Sequence, residues 1–151
     1  MITCNEVADY FITIVDESCG EELTNLKLQK LAYYAQGFHL GLFDKPLFED
    51  TIEAWMHGPV VPVLYHKYKI HKNGILPLPE VFDRSNYSED VKWLLQRIHC
   101  VFGQYSAWRL RDFTHQEAPW KNHYDVGNSV IPLESMRAYF KNYLDENGNE
   151  I

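Results

Sequence analysis

Seven histidines are the residues of this 151-residue chain best able to do chemistry, and their spacing argues against most of it. His66 and His71 stand five apart, so they do not share one helix face for a metal. The chain contains no His-Glu-x-x-His, no glycine-rich phosphate loop and no Gly-x-Ser-x-Gly elbow. His115 and Glu117 could pair an imidazole with a carboxylate, and with His57 they are the set a small enzyme would use. Such pairs also arise by chance in exposed loops. No catalytic residue, cofactor or metal is therefore expected. Cys4, Cys19 and Cys100 form an odd set without Cys-x-x-Cys, which argues for reduced thiols rather than a disulfide framework or a zinc site.

Recognition is the other chemistry these residue types allow. His57-Gly58-Pro59 can present a histidine on a rigid tip, or the imidazole can serve structure by bonding to a neighbouring helix. Tyr33 and Tyr34 sit in a run too crowded with large side chains for all to face inward. Those left outside, with Trp55, His57 and Tyr65, are candidate anchors for a protein partner, because tyrosine gives contact area at low entropy cost. Gly58, Pro59, Pro62, His115 and Trp120 are read as structural motif residues. Thr114-His115 with Pro119-Trp120 is the expected hinge that packs the C-terminal half onto the central helix.

The elements that must position these residues follow from periodicity. Thr3-x-x-Glu6 has capping-box spacing, and Val7, Ala8, Phe11, Ile14 and Val15 give the first helix, about 3–18, its apolar face, with Gly20 ending it. No helix-turn-helix DNA-binding domain is expected before it. Thr24 caps a central helix in which Leu28, Leu31, Ala32, Ala35, His39 and Leu42 recur at helical steps; Gly41 is placed as its left-handed cap. Alternation at Ile52, Ala54 and Met56 suggests a short strand that Gly58-Pro59 breaks, and Ile75–Leu76 is its expected partner. Pro59 and Pro62 suit the start of a helix over about 60–70. Further helices are expected over about 88–103 and 107–114, as a turn at Pro119-Trp120, and over 133–144, with a polar turn at 125–129. The fold class is mainly α: a compact single-domain bundle, residues 1–144, of about six helices with a small two-stranded β element, and a frayed tail at 145–151.

Composition narrows the function further. Hydrophobic residues at 46% and aromatics at 15% argue for a packed core rather than disorder. No apolar run reaches the roughly 20 residues of a membrane span, and the start lacks the marks of a signal peptide, so cytoplasmic placement is expected. A net charge of −7 opposes nucleic-acid binding, and the one dense basic run, His66-Lys-Tyr-Lys-Ile-His-Lys72, reads as a solvated helix end.

Two stretches carry a resemblance. Leu26-Lys-Leu-Gln-Lys-Leu31 with Tyr33-Tyr-Ala-Gln-Gly37, then Ala54-Trp55 and Gly58-Pro-Val-Val-Pro62 with Tyr65, resemble the SocA-like antitoxin domain, also called Panacea, including phage-associated GepA-like proteins. Tyr105-Ser-Ala107, Leu110, Thr114-His115 and Pro119-Trp120 are similar to the same family. The resemblance implies an antitoxin that neutralises a cognate protein toxin by direct binding. It also implies a role as adaptor to a ClpXP-type protease, as in a related protein. A phage or mobile-element protein that binds a host protein on the same scaffold, and the small enzyme named above, stay open as alternatives. A DNA-binding autoregulator is disfavoured by charge.

Overall fold

The computed structural model describes residues 1–18, 21–125 and 129–151. The chain forms α1 (Cys4–Glu17), α2 (Asn25–Phe43), β1 (Glu53–Trp55), β2 (Gly58–Val60), α3 (Pro62–Tyr68), α4 (Glu89–Phe102), α5 (Ala107–His115), α6 (Ala118–Lys121) and α7 (Leu133–Glu146). Short 3-10 turns follow α3 at Lys69–His71 and precede α4 at Arg84–Asn86. The chain is mainly helical with one small antiparallel sheet. Among the described residues, no helix is long and apolar enough to cross a membrane.

The capping box forms as its spacing predicts: Thr3 Oγ1 accepts from the Glu6 amide at 3.1 Å, and Glu6 accepts from the Thr3 amide at 3.0 Å. Cys19 and Gly20, where this helix was expected to stop, lie outside the described residues, as do 126–128 of the polar turn. Ser18 caps the end of α1. Thr24, Ser88 and Ser106 each cap the following helix through the side-chain oxygen.

α2 is the axis of the molecule. Every residue from Leu28 to Leu40 is buried, so the expected stripe is part of a helix enclosed on all sides. α1, α3, α4, α5, α7 and β2 all pack against it. Its buried polar side chains hold the strand-poor backbone that follows. Gln36 donates to the Phe48 carbonyl at 2.8 Å and accepts from the Leu47 amide at 2.7 Å. Gln29 accepts from the Val61 amide at 2.9 Å, and Lys30 donates to the Pro59 carbonyl at 3.2 Å. These bonds supply partners for loop groups that no sheet satisfies.

Gly41 is not the cap of α2. Asp44 takes the left-handed conformation, φ 59°, while Gly41 lies inside the helix, where a Cβ would sit 2.9 Å from Leu144 Cδ1 and 3.1 Å from the Phe140 carbonyl carbon. The glycine serves the approach of α7. Asp44 then receives Arg137 and Lys141 of α7 at 2.8 and 3.2 Å.

The sheet also differs from expectation. β1 pairs with β2, in register Glu53↔Val60, Ala54↔Pro59 and Trp55↔Gly58, so Gly58-Pro59 builds the second strand instead of breaking the first. Leu76 donates instead to the Leu23 carbonyl at 2.9 Å. A partner two residues away closes at far less entropic cost than one twenty residues away. The other edge of β1 is taken by the segment before α7, through Ala54 N to Ser129 O at 2.6 Å and Ile131 N to Ile52 O at 2.8 Å. At the chain end, the Asn149 amide donates to the Leu144 carbonyl at 2.7 Å, and Ile151 packs against the core.

Candidate functional site at the hairpin tip

The β1–β2 hairpin turns through Met56 and His57, and its geometry is set from beneath. Gly58 has φ +107°, and a Cβ there would meet Lys30 Cε at 2.7 Å and Thr114 Oγ1 at 2.9 Å. Only glycine suits both the backbone angle and the close approach. Pro59 loses no ladder bond: the Ala54 backbone opposite it faces the other edge, its amide donating to the Ser129 carbonyl, so this pair is a non-hydrogen-bonded one that asks for no N–H from Pro59. Pro62 starts α3 at the first turn, where a proline lacks nothing the helix needs.

Lys30 is fully buried under this tip, and burial, assisted by the nearby Arg111 charge, pushes its ammonium pKa down to about 7. Arg111 donates from Nε to His57 Nδ1 at 3.3 Å and lies 5.4 Å from the centre of the Trp108 ring. His115 stacks on Trp120, with ring centres 3.8 Å apart and planes 9° apart. Burial also holds the His115 imidazole below its ordinary pKa, with Arg111 adding to the effect. The Trp120 indole donates to the Trp55 carbonyl at 2.7 Å.

Above this support lies a groove of about 440 Å³. Trp55, Met56, Val60, Tyr65 and Trp108 form its apolar wall, His57 stands at the tip, and Lys69 and Lys72 stand at the rim. Met56 and Trp108 are 60% and 56% exposed. Trp55 is edge-on to Tyr65 at 4.9 Å, and its indole donates to Glu53 Oε1 at 2.9 Å.

Of the candidate anchors, the structure brings Trp55, His57 and Tyr65 to this one groove. Tyr33 and Tyr34 are not on any surface: they are 0% and 1% exposed. Tyr34 stacks on Phe102 at 4.0 Å, and Tyr33 meets Phe140 edge-on at 5.5 Å. Their hydroxyls donate to the two oxygens of Glu117, each at 2.8 Å. They were misplaced because α2 is covered on every side, which its own periodicity does not reveal. Glu117 is thus engaged by tyrosines, His57 by Arg111 and His115 by Trp120, so the three residues of the enzyme alternative serve separate structural contacts. Burial raises the Glu117 pKa to about 7 despite both hydroxyl donors. Among the described residues, no group of His, Cys, Asp and Glu could hold a metal ion.

Met56 and Trp108 were missed in the sequence. Trp108 had a signal: Leu110 and Thr114 set the inward face of α5 and leave the tryptophan outside. Lys30 had none, since a lysine amid helical apolar residues ordinarily lies at the surface.

The family model for the antitoxin SocA-like, Panacea domain matches residues 28–121. The chain belongs to this family. The matched region holds the hairpin, the groove wall and most of α2, but not α1 or α7. Antitoxin SocA of Caulobacter vibrioides (strain NA1000 / CB15N) is a Panacea relative, 33% identical over 109 residues, 65% of this chain. The chain spans 58% of that relative's length. No solved structure matches the chain.

Proposed function

We propose that this protein is an antitoxin that neutralises a cognate protein toxin by binding it directly, with the hairpin-tip groove as the docking face. The observation that carries the reading is the placement of Trp55, Met56, Tyr65 and Trp108 around one groove, inside the region matched by the antitoxin family model. Large aromatic and thioether side chains held half out of water supply the contact area on which interface energies concentrate. The hairpin's glycine, the buried Lys30 and the Trp120 indole fix the tip before any partner arrives, which limits the ordering cost of binding. The toxin does the chemistry, and the antitoxin covers its active surface.

We expect a short gene encoding the toxin to adjoin this one, and co-expression with it tests the reading. The product alone should stop growth, and wild-type antitoxin should restore it. Alanine at Trp108, Met56 or Tyr65 should leave folding intact and cost about 2 kcal/mol or more of affinity at the strongest anchor. Failure of the wild type to rescue growth would sink the antitoxin reading. Rescue and normal binding by every anchor variant would leave the function standing and remove the face. Delivery to a ClpXP-type protease is separated by toxin level: an unchanged level during rescue assigns simple steric cover.

A further inference from the structure

We propose that the toxin segment seated in this groove is acidic, with carboxylates flanking an apolar anchor; the inference rests on the antitoxin reading and specifies its partner. The charged residues lining the groove are Lys69 and Lys72, and no carboxylate lines it. Lys69 opens the 3-10 turn and Lys72 caps its end, so the turn brings both lysines to the lining of the same groove. Among the described residues, neither has a carboxylate within ion-pair distance. Arg84, Lys92, Arg137 and Lys141 elsewhere on the surface are each paired, while Lys45, Arg109 and Lys121 are outside any ion pair among the described residues but stand singly; Lys69 and Lys72 differ in lining one apolar groove together.

The backbone holds this arrangement at a cost. Lys72 lies at φ 52°, ψ −121°, a conformation that favours glycine, and is pinned by its amide to the Lys69 carbonyl at 3.0 Å. Gly74 follows with an amide bond to the His71 carbonyl at 2.8 Å. The remaining charges near the site are neutralised or turned elsewhere. Arg111 is shared with Asp112 and His57, Lys67 is bonded to Asn5, and Glu53 is occupied by the Trp55 indole. Two unpaired cations beside an apolar wall, on a chain of net charge −7, form a positive patch in a repulsive field. An acidic segment would be steered to this groove and away from the rest of the surface. A phosphate backbone is the less suited occupant, since the patch is two lysines wide and its wall is apolar.

Binding of the purified product of the adjoining short gene to wild type, Lys69→Glu/Lys72→Glu, Lys69→Gln/Lys72→Gln and Trp108→Ala tests the inference, measured from low to physiological salt. All substituted positions are exposed, and thermal melts check that each variant is folded. The charge reversal should weaken binding by at least about 10-fold and flatten its salt dependence, with the glutamine pair intermediate. If Trp108→Ala weakens binding while the charge reversal changes neither affinity nor salt slope, the acidic segment is refuted and the antitoxin face survives. If the product does not bind wild type at all, both readings fail. Displacement of the bound product by a single-stranded RNA 12-mer, with loss of RNA binding in the charge reversal, would assign the lysines to nucleic acid and overturn the proposal.

Discussion

Glu117 and Lys30 show what single buried charges do in this molecule. Glu117 joins α6 to α2 through the hydroxyls of Tyr33 and Tyr34, and its pKa rises from 4.5 to about 7 because burial outweighs the two donated hydrogen bonds. An acid whose folded pKa is raised binds its proton more tightly in the folded chain than in the unfolded one. Its linkage contribution is therefore largest below pH 4.5 and falls as pH rises to about 7. Lys30, lowered from 10.5 to about 7, acts in the opposite window: the folded state binds fewer protons there, so stability rises with pH from about 7 to 10.5. At about 1.4 kcal/mol per pKa unit, the swings are on the order of 3 kcal/mol for Glu117 and 5 kcal/mol for Lys30. Urea denaturation of wild type and Glu117→Gln at about pH 5 and about pH 7.5 isolates the first swing and cancels the histidines. The stability of the glutamine variant relative to wild type should increase with pH. A pH-independent difference would show that this carboxyl titrates normally. Lys30→Met should likewise abolish the rise above neutrality.

At the scale of elements, the contact between α2 and α7 is the most extensive in the fold, and two glycines of α2 lie against α7. A Cβ on Gly37 would lie 2.1 Å from Phe140 Cε2, inside a ring of the α7 core. Gly37→Ala should cost about 1–3 kcal/mol or more by overpacking, although alanine is the better helix former. Leu31, fully buried beside it in α2, gives the converse case: Leu31→Ala should cost about 2–5 kcal/mol through the cavity left behind. Calorimetric melting of both variants is the measurement. A stabilised Gly37→Ala protein would mean that α7 stands further from α2 than the structure places it. A cost below about 0.5 kcal/mol for Leu31→Ala would mean that α2 is not the centre of the core.

At the scale of the whole molecule, the balance of charge is acidic, while the groove is lined by two lysines and no carboxylate. A net charge of −7 with two unpaired rim lysines does not make the continuous basic face that duplex binding needs. The isolated protein should show no sequence-dependent shift of its own promoter DNA at physiological salt. A sub-micromolar specific shift would show that the chain reads DNA and would reopen the autoregulator alternative.

The helices and their caps were legible because they rest on local physics: Thr3, Thr24, Ser88 and Ser106 cap the amides a few residues on, and the apolar spacing of α1, α4 and α7 already faces one direction. The family was legible for a related reason, since the resemblance rests on short runs in α2, the hairpin and the α5–α6 region, all inside the matched residues 28–121 apart from the start of the α2 run. Tertiary structure alone decided the rest. Tyr33 and Tyr34 went inward because α4, α7 and Glu117 cover them from parts of the chain some seventy to one hundred residues away, which no helical period encodes. Gly41 became a packing residue because α7 passes over it. Trp55 and Tyr65 met Trp108 across one groove because Lys30, a buried cation with no surface to reach, holds the Pro59 carbonyl and seats the hairpin on α2 beside α5. Local sequence fixes which elements form; long-range burial and the need to partner each buried polar group fix which side chains remain outside to bind.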